Sequence, residues 1–154
     1  MALTEGDRAP AAALRDADGN SLPLQSLLAA GPVLLTFFKV SCPTCQLTLP
    51  FLNRLDGGLA QVVNVSQDSP EATARFVAHY GVTARVLYDA AAEEYPASNA
   101  FGITHVPWMF LIERPGTIAW EWSGFQRLKL EWLGNRLNRP IFHPGELVPE
   151  MKAG

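Results

Sequence analysis

The chain has 154 residues, 48% of them hydrophobic and 18% charged, with a formal charge of −3. That is one domain's length on the prior of roughly 150 residues per domain, and the apolar content excludes a chain too polar to fold. Scattered basic residues under a net negative charge exclude a nucleic-acid footprint, and the longest apolar run, Val33–Phe38, falls far short of the ~20 residues that cross a bilayer.

Met1–Pro10 has neither the basic segment nor the apolar stretch of a secretory signal, so the cytoplasm is the expected compartment. Residues 1–20 are rich in turn signals, among them Asp18-Gly19-Asn20. Ser21–Ala30 reads as a short strand or turn followed by a brief helix. Val33–Phe38 is continuous and apolar, the pattern of a strand covered on both faces. Beyond Cys42 and Cys45, Leu47, Leu49, Leu52 and Leu55 give a helical pattern that stops at Gly57-Gly58, with Pro50 expected to kink it. Gln61–Val65 is a second buried strand. Ser69 as N-cap and Pro70 at the first helical position start a helix that ends at Gly81. Arg85–Tyr88 is a short strand, Asp89–Glu94 a loop, and Pro96 opens a short helix ending near Phe101-Gly102. Trp108–Glu113 and Thr117–Ser123 flank Arg114-Pro115-Gly116 as a hairpin. Gln126–Asn138 is a helix with Leu130, Leu133 and Leu137 on one face. The expected division is one domain over 1–138 and an irregular, proline-containing tail over 139–154. Strands alternating with helices, then a hairpin and a last helix, make a mixed α/β sandwich.

The two cysteines, Cys42 and Cys45, are too close in sequence to close a stabilising loop. Their place after a buried strand and at a helix start points to chemistry. Free backbone N–H groups and the positive end of the helix dipole favour a thiolate at Cys42. Cys45 lies one turn further in, where it can attack a mixed disulfide on Cys42. Lys39 adds positive charge three residues upstream. Two plain core thiols are the bland alternative. A zinc site lacks the four ligands it needs, and His79, His105 and His143 are not spaced to supply them, so no metal or other cofactor is expected.

The order of several short segments carries a resemblance. They are Gly6-Asp7-Arg8-Ala9-Pro10, Asp18-Gly19, Val33–Cys45, Val62-Val63-Asn64-Val65-Ser66-Gln67-Asp68, Phe101-Gly102-Ile103-Thr104-His105-Val106-Pro107, Phe110–Gly116 and Gly124. Together they resemble the thioredoxin-like superfamily, specifically the redoxin branch of TlpA-type thiol-disulfide oxidoreductases and their AhpC/TSA peroxiredoxin relatives, over most of residues 3–135. The resemblance implies an α/β, thioredoxin-like fold: a mixed central β-sheet flanked by helices, with an extra α/β insertion at about 70–88. It implies a cis Val106–Pro107 peptide facing the cysteines, with Val106 and Pro107 pairing to an extended substrate segment. On the residues alone Pro107 is equally a strand boundary.

The chain departs from the family pattern at named places. Ser41 stands where Trp is usual, Pro43-Thr44 where Gly-Pro is usual, and Trp108 where a small residue follows the proline. Thr36 and Thr48 occupy the two positions where relatives put a carboxylate or amide near the inner cysteine. Glu93 or Glu94 is the expected substitute. Trp120 and Trp122 alternate onto one sheet face, and with Trp132 they are expected in the core. Trp108 is the aromatic expected beside Cys42, and His105 is expected at the surface or in hairpin packing.

The leading functional reading is a thiol-disulfide oxidoreductase acting on protein or small-molecule disulfides or dithiols, with Cys42 and Cys45 catalytic and an unidentified electron donor or acceptor as partner. No membrane or nucleic-acid partner is expected, and the oligomeric state stays open. A peroxiredoxin-like peroxidase wants Thr three residues and Pro seven residues before its peroxidatic cysteine. Counting from Cys42 meets Lys39 and Leu35, and counting from Cys45 meets Cys42 and Phe38, so neither frame fits. A non-enzymatic thioredoxin-fold binding module is the third reading, and the intact cysteine pair weighs against it.

Overall fold

The computed structural model describes residues 1–154 and begins with two short antiparallel strands, β1 (Ala13–Arg15) and β2 (Ser21–Pro23). The Asp16 carboxylate shapes the turn between them by accepting the N–H groups of Asp18 and Asn20. β1 lies in a region expected to hold only turns; at three residues it is too short to show a period. The brief helix α1 (Leu24–Leu28) follows, then β3 (Val33–Phe38), whose six residues are all buried. Helix α2 (Pro43–Leu52) runs through Pro50 and ends in a 3-10 turn at Asn53–Leu55. Strand β4 (Gln61–Ser66) leads to α3 (Pro70–Tyr80), capped by the Ser69 hydroxyl, which accepts the Ala72 N–H, and closed by Gly81 at φ +68°. Strand β5 (Arg85–Tyr88), helix α4 (Pro96–Phe101) and the hairpin β6 (Trp108–Glu113) and β7 (Thr117–Ser123) complete the sheet.

The sheet has the order β2-β1-β5-β4-β3-β6-β7. β3, β4 and β5 are parallel, and the strands at either side of them run antiparallel. Helix α3 and strand β5 are the unit expected at about 70–88. The β3 alternation splits the core in two. Val33, Leu35 and Phe37 meet Leu27, Phe76, Ala97 and Phe101 on one face. Leu34 joins Leu52, Met109, Leu130 and Leu133 on the other. Both faces of the middle strands are therefore dry, which explains their unbroken apolar runs.

Helix α5 covers Arg127–Arg136, shorter than the expected Gln126–Asn138. Gln126 instead belongs to β8 (Phe125–Gln126), which pairs antiparallel with β9 (Met151–Lys152). At the other end Asn138 turns left-handed at φ +59°, and the Arg139 N–H reaches back to the Gly134 carbonyl. Residues 139–154 contain no helix, yet they lie against the domain: Ile141 is buried and the Phe142 ring meets Phe51 edge-on at 5.0 Å. Arg54 fixes this segment, donating to the Ile141 carbonyl and to both oxygens of Glu146. No helix is long and apolar enough to cross a membrane.

Candidate functional site

The site forms where β3 ends. Parallel strands deliver their C-terminal ends to one edge of the sheet, and the loops there are free to carry side chains that the buried strands cannot. Residues 39–41 make the turn from β3 into α2, and two side chains hold it. The Asp68 carboxylate, just past the end of the neighbouring β4, accepts the Val40 N–H at 2.8 Å. Gln46 donates from α2 to the Val40 carbonyl at 3.0 Å.

Cys42 caps α2, and Pro43 fills the first helical position. The Cys45 N–H donates to Cys42 Sγ at 3.1 Å, so a backbone donor at the helix start faces the sulfur. Cys42 Sγ in turn donates to the Val106 carbonyl at 3.5 Å. Cys42 is half-buried; Cys45 has no exposed surface. Both are free thiols. Burial pushes the Cys45 thiol far up from its ordinary value, with the contact to Cys42 and the negative charge of Asp68 acting the same way. The two thiols thus differ: one is open to solvent and faces an N–H donor, the other is held protonated.

Val106 and Pro107 stand beside the pair. Both are buried, and the Pro107 carbonyl accepts the Gly124 N–H at 2.9 Å. The peptide between Val106 and Pro107 is cis, as is that between Arg114 and Pro115. A 170 Å³ cleft borders this place, lined by Lys39, Gln67, Tyr95, Thr104, His105 and Val106. Trp108 is clamped by the sheet: its ring stacks on Phe110, its edge donates to Glu121 at 2.7 Å, and His105 lies against it. Trp120 is buried and stacks on the half-exposed Trp132, while Lys129 sits 4.7 Å over Trp122. Trp132 is 48% exposed, so it is not the core residue expected; one face of its ring stacks on Trp120 of β7. The three histidines are exposed. No group of three or more His, Cys, Asp or Glu is gathered as a metal site.

The substitute acid is a correction. Glu93 forms a two-pronged pair with Arg15 on β1, at 3.1 and 3.0 Å, and that guanidinium holds its carboxyl below the usual range. Glu94 is exposed and sits at a left-handed turn. The carboxylate that bears on Cys45 is Asp68. Its signal in the sequence is its place directly after a buried strand, which a parallel neighbour of β3 would bring to the cysteine edge. Thr48 donates to the Thr44 carbonyl one turn back at 2.6 Å. Thr36 is buried and its hydroxyl finds no partner; beside it in register lies Asn64, whose amide is also unpartnered. A second feature escaped the sequence reading: Thr44 donates to the carbonyl of Ala153, so the far end of the chain reaches the cysteine turn.

Residues 5–121 match the model of the AhpC/TSA family. The chain belongs to that family. A thiol-disulfide oxidoreductase, ResA, of Halalkalibacterium halodurans is 30% identical over 119 residues, 74% of this chain and 65% of that protein. A Mycobacterium tuberculosis protein described as a peroxiredoxin is 35% identical over 105 residues, 65% of this chain and 66% of that one. The chain therefore spans just under two thirds of the length of these curated relatives. Among solved structures, a Chlorobium tepidum protein described as the thiol:disulfide interchange protein DsbE superposes with a TM-score of 0.76 at 25% identity, covering 89% of this chain and 97% of that one. The fold is thioredoxin-like, as that likeness and the mixed sheet between helices both require.

Proposed function

We propose that this family member is a thiol-disulfide oxidoreductase. The observation that carries the reading is the inequality of the two thiols, Cys42 open and facing a backbone N–H, Cys45 buried one turn behind it. The Cys42 thiolate attacks one sulfur of a substrate disulfide, and the other sulfur leaves as a thiolate that takes a proton from water. Cys45 then gives up its proton and attacks Cys42 Sγ. The Cys42–Cys45 disulfide forms and the second substrate thiol is released with the Cys45 proton, so two electrons and one proton have passed from enzyme to substrate and water has supplied the other proton. Run backwards from the disulfide form, the same steps oxidise a dithiol. Protein or small-molecule disulfides and dithiols are the substrates, and a second dithiol or disulfide resets the enzyme. The names of the ResA and DsbE relatives support this reading.

Replacing Cys45 with Ser removes the resolving thiol and leaves the attacking one. The expected result is a stable mixed disulfide on Cys42, seen by mass spectrometry after incubation with a disulfide substrate, while Cys42→Ser accumulates none. Trapping by the Cys42 variant instead would reverse the roles.

The likeness to a peroxiredoxin supports a second reading, in which Cys42 reduces peroxide to water and is oxidised to a sulfenic acid that Cys45 converts to the disulfide. Lys39 and Leu35 stand where that chemistry wants Thr and Pro. Peroxide consumption at a rate comparable to disulfide exchange would favour it.

A further inference from the structure

The segment from Glu150 onward is held along β8 and ends against the cysteine turn. The Arg127 N–H donates to the Glu150 carbonyl at 3.0 Å, and the Arg127 guanidinium meets the Glu150 carboxylate at 2.8 Å. Met151 and Lys152 pair with Gln126 and Phe125 as β9 on β8. The Ala153 carbonyl accepts the hydroxyl of Thr44, between the two cysteines, at 2.5 Å, and Thr44 is only 3% exposed. Gly154 then lies so close to Val106 that a Cβ added to it would fall 2.5 Å from the Val106 carbonyl oxygen. That oxygen is the one that receives Cys42 Sγ. Gly124 admits this path: at φ +80° it turns as β-carbon-bearing residues rarely do, and a Cβ there would meet the Lys152 carbonyl at 3.0 Å.

We propose that residues 150–154 are a strap across the Cys42 groove, which selects substrates by keeping extended polypeptide disulfides out until it lifts and leaving small disulfides unhindered. The proposal deepens the oxidoreductase reading and rests on it. A polypeptide segment that presents a disulfide to Cys42 must pass over the sulfur, with one flank on the Thr44 side and the other on the Val106 side. Ala153 covers the first and Gly154 the second. A small disulfide needs only the open face of the half-buried sulfur. The strap is built to move: residues 151–154 are all exposed, β9 is two residues long, and the ion pair that anchors it is exposed too. Such a short surface strand opens at low cost compared with the core. A covered groove lowers the apparent rate toward the blocked substrate by the fraction of time it is open.

The test compares the wild type with two variants, one ending after Pro149 and one carrying Gly154→Leu, whose side chain cannot sit on the Val106 carbonyl. Neither removes a buried side chain. With dithiothreitol as reductant, rates are read on insulin disulfides and on oxidised glutathione. A groove closed about nine-tenths of the time gives an insulin rate about tenfold higher in the truncated chain, with the glutathione rate within about twofold. Gly154→Leu should move the same way by less. An unchanged insulin rate, or equal changes on both substrates, overturns the strap. A wild type that exchanges neither substrate sinks the oxidoreductase reading instead. The strap is then judged by Cys42 alkylation, with iodoacetamide and with a maleimide carried on a large polymer. It stands if truncation speeds only the second reagent and falls if it speeds both or neither.

Discussion

Thr36 lies six residues before Cys42, fully buried, with a hydroxyl that has nothing to bond. The family resemblance implies an acid or amide at this position, where this chain buries a hydroxyl instead. An unsatisfied buried hydroxyl costs its desolvation without a returning hydrogen bond, so Thr36→Val, which keeps the shape, is expected to raise stability by about 1 kcal/mol in chemical denaturation. A loss of stability would mean that the hydroxyl is satisfied in solution. Disulfide exchange should continue in this variant, because burial and the contact to Cys42, not Thr36, hold the Cys45 thiol up. At this scale the cysteine pair was legible from one short motif, because its chemistry is local: a strand end, a helix cap, and a thiol one turn in. Asp68 was not, since its bond to Val40 joins residues 28 positions apart. Only the parallel pairing of β3 with β4 brings them together; the sequence marks Asp68 by its place after a buried strand but does not say which strand lies beside that one.

Elements with their own start and stop residues were read well. Ser69, Pro70 and Gly81 bound α3 through hydrogen bonds and backbone angles that lie within a few residues. β8 and β9 were not read, because two-residue strands have no period and Gln126 continues the helical pattern of α5. Tertiary pairing with Met151 decides its state. The prolines at 140, 144 and 149 mark the last segment as irregular, which it is locally, but they say nothing of where it docks. Docking depends on the pair between Arg54 and Glu146. The Arg54 guanidinium and, after it, the His143 N–H bring the Glu146 carboxyl down from 4.5 to about 2. A carboxyl with a depressed folded value stabilises above its unfolded value, here 4.5, and that contribution is lost as pH falls through about 2. Amide exchange around Ile141 and Phe142 should therefore quicken as pH is lowered across that window, beyond the intrinsic pH dependence of exchange. In Glu146→Gln the segment should already be loose at neutral pH and show no such step. Because both side chains are partly exposed, added salt should weaken the clamp as well. A step that persists in the Gln variant would assign it to another group.

Across the whole molecule, the two core layers determine what the cysteine pair can do. Cys45 belongs to the same buried cluster as Leu35, Phe37, Leu49 and Val65, so its environment is made by strands and helices far apart in sequence. The composition foretold that such a core exists; it did not foretell that the inner thiol is sealed inside it. That seal has a thermodynamic consequence. An unfolded thiol ionises near 9.0, whereas burial, first among the causes, keeps Cys45 protonated in the fold well beyond that point. A group whose folded value is raised contributes its full stability below the unfolded value and loses it as pH climbs toward the folded value. Above pH 9.0 the unfolded chain releases a proton that the folded chain retains, and one proton changes stability by about 1.4 kcal/mol per pH unit. Denaturation curves of the reduced protein between pH 9 and 11 should consequently fall more steeply than those of Cys45→Ser by that one-proton slope, whatever constant offset the serine introduces. Parallel curves would show that Cys45 ionises as readily inside the fold as outside it. The steeper slope would tie stability to function, since a thiol that stays protonated in the resting fold stays silent until a mixed disulfide on Cys42 gives it a sulfur to attack.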